Sequence, residues 1–234
     1  MSMGSELEGR SRVVAAYDLG TTSYGEVHKL QQRLQGQRRE GQGRDTLLLT
    51  EHRPVFTLGR SHPRADLRVP EETVKEYGIE VVQTERGGNI TYHGPGQLVA
   101  YGIIDLRGWK LGVLDYVSGL EDTIIGVLAD WGLRGSRNEA GRGVWIEDRK
   151  IASLGLNVRR WVTMHGAALN IDSDMSHWEL INPCGMQDTE VTSMTTECGK
   201  QVALQEVADA FTFHFGRVFE CGVEAMTLPG RSHA

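Results

Sequence analysis

The chain has 234 residues, enough for one large domain or two small ones at roughly 150 residues per domain, with room for a sizeable core. Glycine is abundant at 29 residues, yet glycine and proline together make 35 of 234, about 15%, below the level of disordered or collagen-like chains, so the glycines are sited rather than spread through linkers. With 25 basic and 31 acidic residues the net charge is −6 and no block of five like charges occurs, which argues against a general nucleic-acid binder.

In chain order, Met1 to Arg12 are polar, carrying Glu6, Glu8 and two arginines, and lack the apolar region of a signal peptide. A cytoplasmic protein is expected, with residues 1–12 and 228–234 as tails around a single domain spanning 13–227. Ser23-x-x-Glu26 forms a capping box for a helix with Tyr24, Val27, Leu30 and Leu34 on one face, followed by a loop from Gly36 to Arg44. Leu47 to Leu49 and Val55 to Leu58 read as short strands separated by Pro54. A short helix is predicted from Pro70 to Gly78, then a strand over Ile79 to Val82. The longest apolar run, Leu98 to Ile104, is far short of the roughly 18 residues of a membrane span.

Val113, Val117, Leu120, Ile124, Val127, Leu128 and Trp131 keep helical spacing over five turns, and Gly132 sits where a glycine ends a helix. Val144 to Ile146 and Ile151 to Val158 flank the turn Glu147-Asp148-Arg149 as a hairpin, with Thr163 to Ile171 as a third strand and Arg159-Arg160 at a solvated tip. A last long helix is predicted from Leu204 to Phe219. No repeat or linker divides the chain, so one α+β domain with a mixed β-sheet flanked by helices is the economical architecture.

Two stretches could carry chemistry. Arg86 to Gln97 holds four glycines and a proline in twelve residues, a loop that lets backbone approach a ligand closely or simply turns between strands. It is not a phosphate-binding loop, because no Gly-Lys-Ser/Thr follows. The second is Pro183-Cys184-Gly185. Three cysteines cannot all pair with one another, and a lone cysteine is more often a small buried hydrophobe than a nucleophile, a reading that suits Cys198 and Cys221. Cys184 differs because proline and glycine fix the turn around it. An ordinary thiol is mostly protonated at neutral pH, so Cys184 as a nucleophile needs a base, and His93, His165 and Lys150 are the candidates, which spacing alone does not separate. Each has an ordinary alternative: the histidines as loop hydrogen-bonders, the lysine as an exposed turn residue. A metal site is not expected, since no pair of cysteines has zinc-finger spacing and no His-Glu-x-x-His occurs.

The blocks Arg86-Gly87-Gly88, Thr91 to Leu98, Lys150 to Gly155, Met164-His165-Gly166, Leu169-Asn170 and Pro183-Cys184-Gly185 resemble, in order and spacing, those of octanoyltransferase, the lipoyl(octanoyl) transferase family of lipoate synthesis. Thr57 to Arg60 and Thr192-Ser193-Met194 fit as well, so the resemblance covers roughly Leu47 to Met194. It implies a fold like the biotin and lipoate protein ligases. It further implies transfer of an octanoyl group from acyl carrier protein to a lysine of a lipoyl domain, in 2-oxoacid dehydrogenase subunits and the glycine cleavage H protein. By position, Cys184 would carry an acyl thioester and Lys150 would activate it. Arg86, Gly87, Gly88, Asn89, Ile90, Thr91, Tyr92 and His93 would line the acyl pocket with Ser153, Leu154, Gly155, His165, Gly166, Ala167 and Ala168. Two positions depart from the family pattern, Gly102 for a proline and Ala167 for a larger aromatic residue; the second bears on tunnel shape. No cofactor, metal, nucleic acid or membrane is expected, and nothing requires more than a monomer. The competing readings are an ATP-dependent lipoate or biotin ligase, which needs no nucleophilic cysteine, and a non-catalytic homologue that binds acyl carrier protein, which needs neither Cys184 nor Lys150.

Overall fold

A computed structural model describes residues 12–61, 66–139, 141–182 and 189–227. Residues 1–11 of the expected tail 1–12, the expected tail 228–234, and Pro183-Cys184-Gly185 lie outside the described residues. Eight strands form the main sheet: β1 (Val13–Thr22), β2 (Thr46–His52), β6 (Gln97–Ile103), β7 (Ser136–Asn138), β8 (Gly141–Ile146), β9 (Arg149–Arg159), β10 (Val162–Asn170) and β11 (Gly222–Met226). Their spatial order is β11-β1-β2-β6-β10-β9-β8-β7. β1 runs parallel to both β11 and β2, and the remaining pairs are antiparallel. A smaller sheet, β4-β3-β5, is built from β3 (Val55–Leu58), β4 (Glu80–Gln83) and β5 (Ile90–His93). This is the expected mixed sheet with helices.

Alternation along the strands sends successive side chains to opposite faces of the main sheet. Leu47, Leu49, Leu98, Ala100, Ala167 and Leu169 face α4 (Val113–Asp130) and α6 (Leu204–Val218), which close the larger core. Phe211, Phe215 and Phe219 stack through it with Trp109 and Tyr116, the closest ring pair being Phe215 and Phe219 at 4.6 Å. Leu48, Val99, Tyr101 and Ala168 face the other way, against α1 (Tyr24–Arg39).

Helix α1 starts where the capping box predicts, with the Ser23 hydroxyl accepting from the Glu26 backbone N–H at 3.4 Å. It departs from the sequence reading twice. It continues to Arg39 instead of giving way to a loop at Gly36, and its deepest residues beyond Tyr24 and Val27 are Gln31 and Gln35, while Leu30 and Leu34 are only partly buried. The cause is in β10. His165 adopts φ 63, which leaves its N–H turned off the ladder to donate to Gln31 Oε1 at 2.9 Å, and Gln35 Nε2 donates to the Val162 carbonyl at 3.0 Å. Buried backbone groups need partners, so two glutamines replace apolar packing.

The segment read as a glycine-rich loop contains the fully buried strand β5. Four further strands, β1, β6, β7 and β11, were not assigned from the sequence. Arg12, counted with the tail, accepts from the Gly222 N–H at 2.7 Å and places its guanidinium 5.7 Å from the Trp109 ring centre.

Candidate active site

On the α1 side of the main sheet lies a cavity enclosing about 480 Å³ of empty space, its open mouth included. Its floor is set by register. Tyr101, Gly166 and Gly155 are aligned across β6, β10 and β9, and one pleat further Val99, Ala168 and Ser153 align in the same way. Small residues at the centre of these rows make the space. A Cβ added at Gly166 would strike the Ala100 carbonyl, and one at Gly155 would press the Arg86 side chain at 3.1 Å. The wall is the small sheet and the turn before it, contributing Arg86, Gly88, Asn89, Ile90, Thr91 and His93.

Of the pocket residues named from the sequence, the cavity gathers Arg86, Gly88 to Thr91, His93, Ser153 to Gly155 and His165 to Ala168. Gly87 and Tyr92 stand outside its lining. Gly87 donates its N–H to the Leu156 carbonyl at 2.9 Å. Tyr92 points to the far side of β5, into a third cluster with Phe56 and Trp178, its hydroxyl 2.8 Å from His177 Nδ1. Strand alternation within 90–93 separates it from Thr91 and His93. Ala167 borders the cavity, but its side chain packs with the larger core. Tyr24, Val99 and Tyr101 also line the space and were not named. Their signal was weak: Val99 and Tyr101 alternate within the apolar run, and Tyr24 sits on the apolar face of the first helix.

The walls are unusually polar for a buried place. Arg86 is clamped by Thr57, its Nε and Nη2 donating to Thr57 Oγ1 at 3.1 and 3.0 Å. His52 Nε2 meets the Tyr101 hydroxyl at 2.8 Å and its Nδ1 meets Thr22 Oγ1 at 3.2 Å. Burial pushes all three interior histidines down, His93 and His165 to about 3 and His52 to about 4, so they are neutral at physiological pH. Burial likewise raises the Tyr24 and Tyr101 hydroxyls, which stay protonated. Arg86 is therefore the only charged group among the described lining residues.

His28, Glu85 and His165 bring candidate ligand atoms within 4.8 Å of one another. The rings of His28 and His165 have centres 5.7 Å apart and planes at 21°. Within this group His28 Nε2 and Glu85 Oε2 pair at 3.0 Å.

Lys150 is 2% exposed, so the exposed-turn alternative does not apply. It stands at the start of β9, three residues before Ser153, with Nζ 5.1 Å from the Trp145 ring centre. A Cβ at Gly143 would press its Cε at 2.8 Å. Its backbone is paired in parallel with Val191: Lys150 N–H donates to Glu190 O at 2.8 Å and Thr192 N–H donates to Lys150 O at 3.0 Å. The segment that follows Cys184 in the chain thus returns beside Lys150. Cys198 and Cys221 are free and partly buried, and burial raises both thiols, Cys221 to about 11, as inert fillers of the core edge require.

The family model for the lipoyl protein ligase A/B catalytic domain matches residues 23–216. An octanoyltransferase of Syntrophobacter fumaroxidans is 45% identical over 212 residues, covering 91% of this chain and 93% of that protein. The chain belongs to the octanoyltransferase family. Another member, from Solibacter usitatus, is 44% identical over 92% of this chain and 96% of its own. Among solved structures, a bipartite lipoate protein ligase from Thermoplasma acidophilum superposes with a TM-score of 0.70 at 16% identity, covering 94% of this chain and 88% of that one. A biotin protein ligase from Aquifex aeolicus gives 0.52 at 13% identity over 89% and 70%. At such identities these two structures speak for a common fold. No described helix is long and apolar enough to cross a membrane.

Proposed function

We propose that this chain transfers an octanoyl group from octanoyl acyl carrier protein to a lysine of lipoyl domains, in 2-oxoacid dehydrogenase subunits and the glycine cleavage H protein, through a thioester on Cys184. The observation that carries the reading is the placement of Lys150: buried, on the strand that supplies Ser153 to Gly155 to the cavity, and backbone-paired with residues 190–192 that follow Cys184. The cavity is narrow, mostly apolar in its floor and of a size for a short acyl chain.

The chemistry balances without an activating nucleotide. Lys150 takes the Cys184 proton, the thiolate attacks the donor carbonyl, and the carbonyl–sulfur bond to the carrier breaks as the carrier thiolate takes the proton back from Lys150. The incoming lysine amine then attacks the Cys184 thioester, an amide forms, and the Cys184 sulfur leaves as a thiolate while Lys150 accepts the amine proton and returns it to that sulfur. Thioester to thioester to amide runs downhill. We place this reaction in the cytoplasm, where reduced Cys198 and Cys221 persist, and in a monomer.

Intact-protein mass spectrometry tests the reading. The chain is mixed with octanoyl acyl carrier protein without ATP, beside Cys184→Ser. The expected result is a thiol-labile octanoyl adduct, absent in the variant and discharged by a lipoyl domain. Modification of the lipoyl domain only with ATP and free acid would overturn it in favour of a ligase.

A further inference from the structure

An unbroken file of buried polar groups runs from the cavity wall to the segment 190–192 beside Lys150. His93 Nδ1 lies 2.8 Å from Gln97 Oε1, Gln97 Nε2 donates to Asn170 Oδ1 at 2.8 Å, and Asn170 Nδ2 donates to the Thr192 carbonyl at 3.0 Å. Gln97, Asn170 and Thr192 are 1%, 2% and 3% exposed. Burying two amides in this way is costly unless each group is matched, and apolar packing would have served the fold at least as well.

The direction of the file is forced by two backbone carbonyls, which only accept. Thr192 O requires the Asn170 NH₂, so Asn170 Oδ1 must face Gln97. Gln97 Nε2 donates to Tyr92 O at 3.1 Å as well as to Asn170, so Gln97 Oε1 must face His93. His93 is then obliged to carry its proton on Nδ1, leaving Nε2 as an unprotonated acceptor 3.4 Å from Thr57 Oγ1, the hydroxyl that also holds Arg86. At the other end Thr192 is gripped on both edges, by Asn170 at its carbonyl and by Lys150 at its N–H, and its hydroxyl donates to Glu197, which Arg149 clamps through two bonds of 2.9 and 3.0 Å.

We propose that Gln97 and Asn170 are positioning residues for acyl transfer: together they lock His93 as its Nδ1–H tautomer at the cavity and hold residues 190–192 in register against Lys150, so that the acyl site and the proton carrier are set by one hydrogen-bonded file. The inference rests on the thioester reading above. Asn170→Asp keeps the shape and still accepts from Gln97, but turns an oxygen toward Thr192 O and releases that end alone. Gln97→Met keeps the length and removes the acceptor at His93 Nδ1.

The full chain of each variant is followed by the rate of octanoyl loading, by KM for octanoyl acyl carrier protein, and by the ring ¹⁵N shifts of His93. Asn170→Asp is expected to lower kcat for loading at least about tenfold per folded molecule, with KM changed less than about twofold. Gln97→Met is expected to convert His93 from one Nδ1–H form to a mixture of tautomers. Should Asn170→Asp fail to fold, Asn170→Ala, which removes both the donor to Thr192 and the acceptor from Gln97, carries the same expectation. A wild-type chain that loads, with folded variants that load equally fast, overturns the inference and leaves the thioester reading standing. A wild-type His93 protonated on Nε2 also overturns it. A wild-type chain that takes no acyl group overturns both.

Discussion

The two faces of the main sheet are buried to similar depth by opposite means. On the α4 and α6 face the contacts are aliphatic and aromatic, from Leu47 and Leu98 to Phe211 and Phe215. On the α1 face Tyr24, His52, Arg86, His93, Tyr101 and His165 are as deeply buried, and His52, Arg86, His93 and Tyr101 are held by directed side-chain hydrogen bonds. The first face gains stability from area removed from water, which is indifferent to orientation. The second fixes orientation and leaves an empty space, which costs stability and is what an acyl-binding site requires. Substitutions should therefore separate the faces cleanly, stability from one and turnover from the other.

The sharpest break is expected at Lys150→Arg, which keeps a long basic side chain but stays charged and cannot accept a proton. Octanoyl transfer near neutral pH should fall about a thousandfold. A variant with full activity would end the proton-carrier role. Phe215→Ala on the opposite face should cost about 3–5 kcal/mol and lower Tm by roughly 10 °C, while activity per folded molecule stays near wild type, as thermal melts beside turnover would show. Ala168→Leu fills the cavity floor from β10. A drop of about tenfold to a hundredfold in octanoyl transfer is expected, with shorter acyl donors less affected and Tm changed by a few degrees at most.

Acid should also tell the faces apart. His52, His93 and His165 have pKa values held down in the folded chain, so below their ordinary value of 6.5 only the unfolded chain takes up those protons. Their contribution is intact above about 6.5 and is lost as pH falls toward about 4 and 3, at up to about 1.4 kcal/mol per pH unit for each histidine. Denaturant midpoints at pH 7 and pH 5 measure it, and His52→Phe should flatten the slope. The smallest effect belongs to the hairpin tip after β9, where Arg159, Arg160 and the 44% exposed Trp161 project, with Arg107 6.0 Å from the Trp161 ring centre. Arg159→Glu should raise KM for the acidic carrier protein a fewfold and leave kcat unchanged; an unaltered KM would remove the tip from carrier recognition.

The two faces were not equally legible. Periodicity exposed α4 and α6 because an apolar face needs only spacing, and the capping box before Tyr24 and the turn at Glu147 marked real boundaries. It misjudged α1, where Gln31 and Gln35 occupy buried positions that hydropathy assigns to the surface. It also read 86–97 as loop, since the buried strand Ile90–His93 is too short and too mixed to announce itself. β1 and β11 were missed because their pairing, Val13 with Gly222, joins residues at opposite ends of the chain, which no local window contains.

By itself the sequence determined the fold class, the family blocks and the nomination of Cys184, Lys150 and the glycine-rich wall, because these depend on residue types and intervals along one chain. Only the tertiary structure decided that Tyr92 turns away from the cavity while Tyr24, Val99 and Tyr101 enter it, that Lys150 is buried, and that Gln97 and Asn170 link His93 to the segment beside it. Those facts depend on strand register and on donors meeting acceptors about 70 residues apart. A hydrogen bond is specified by the position and direction of two groups, and linear spacing encodes neither.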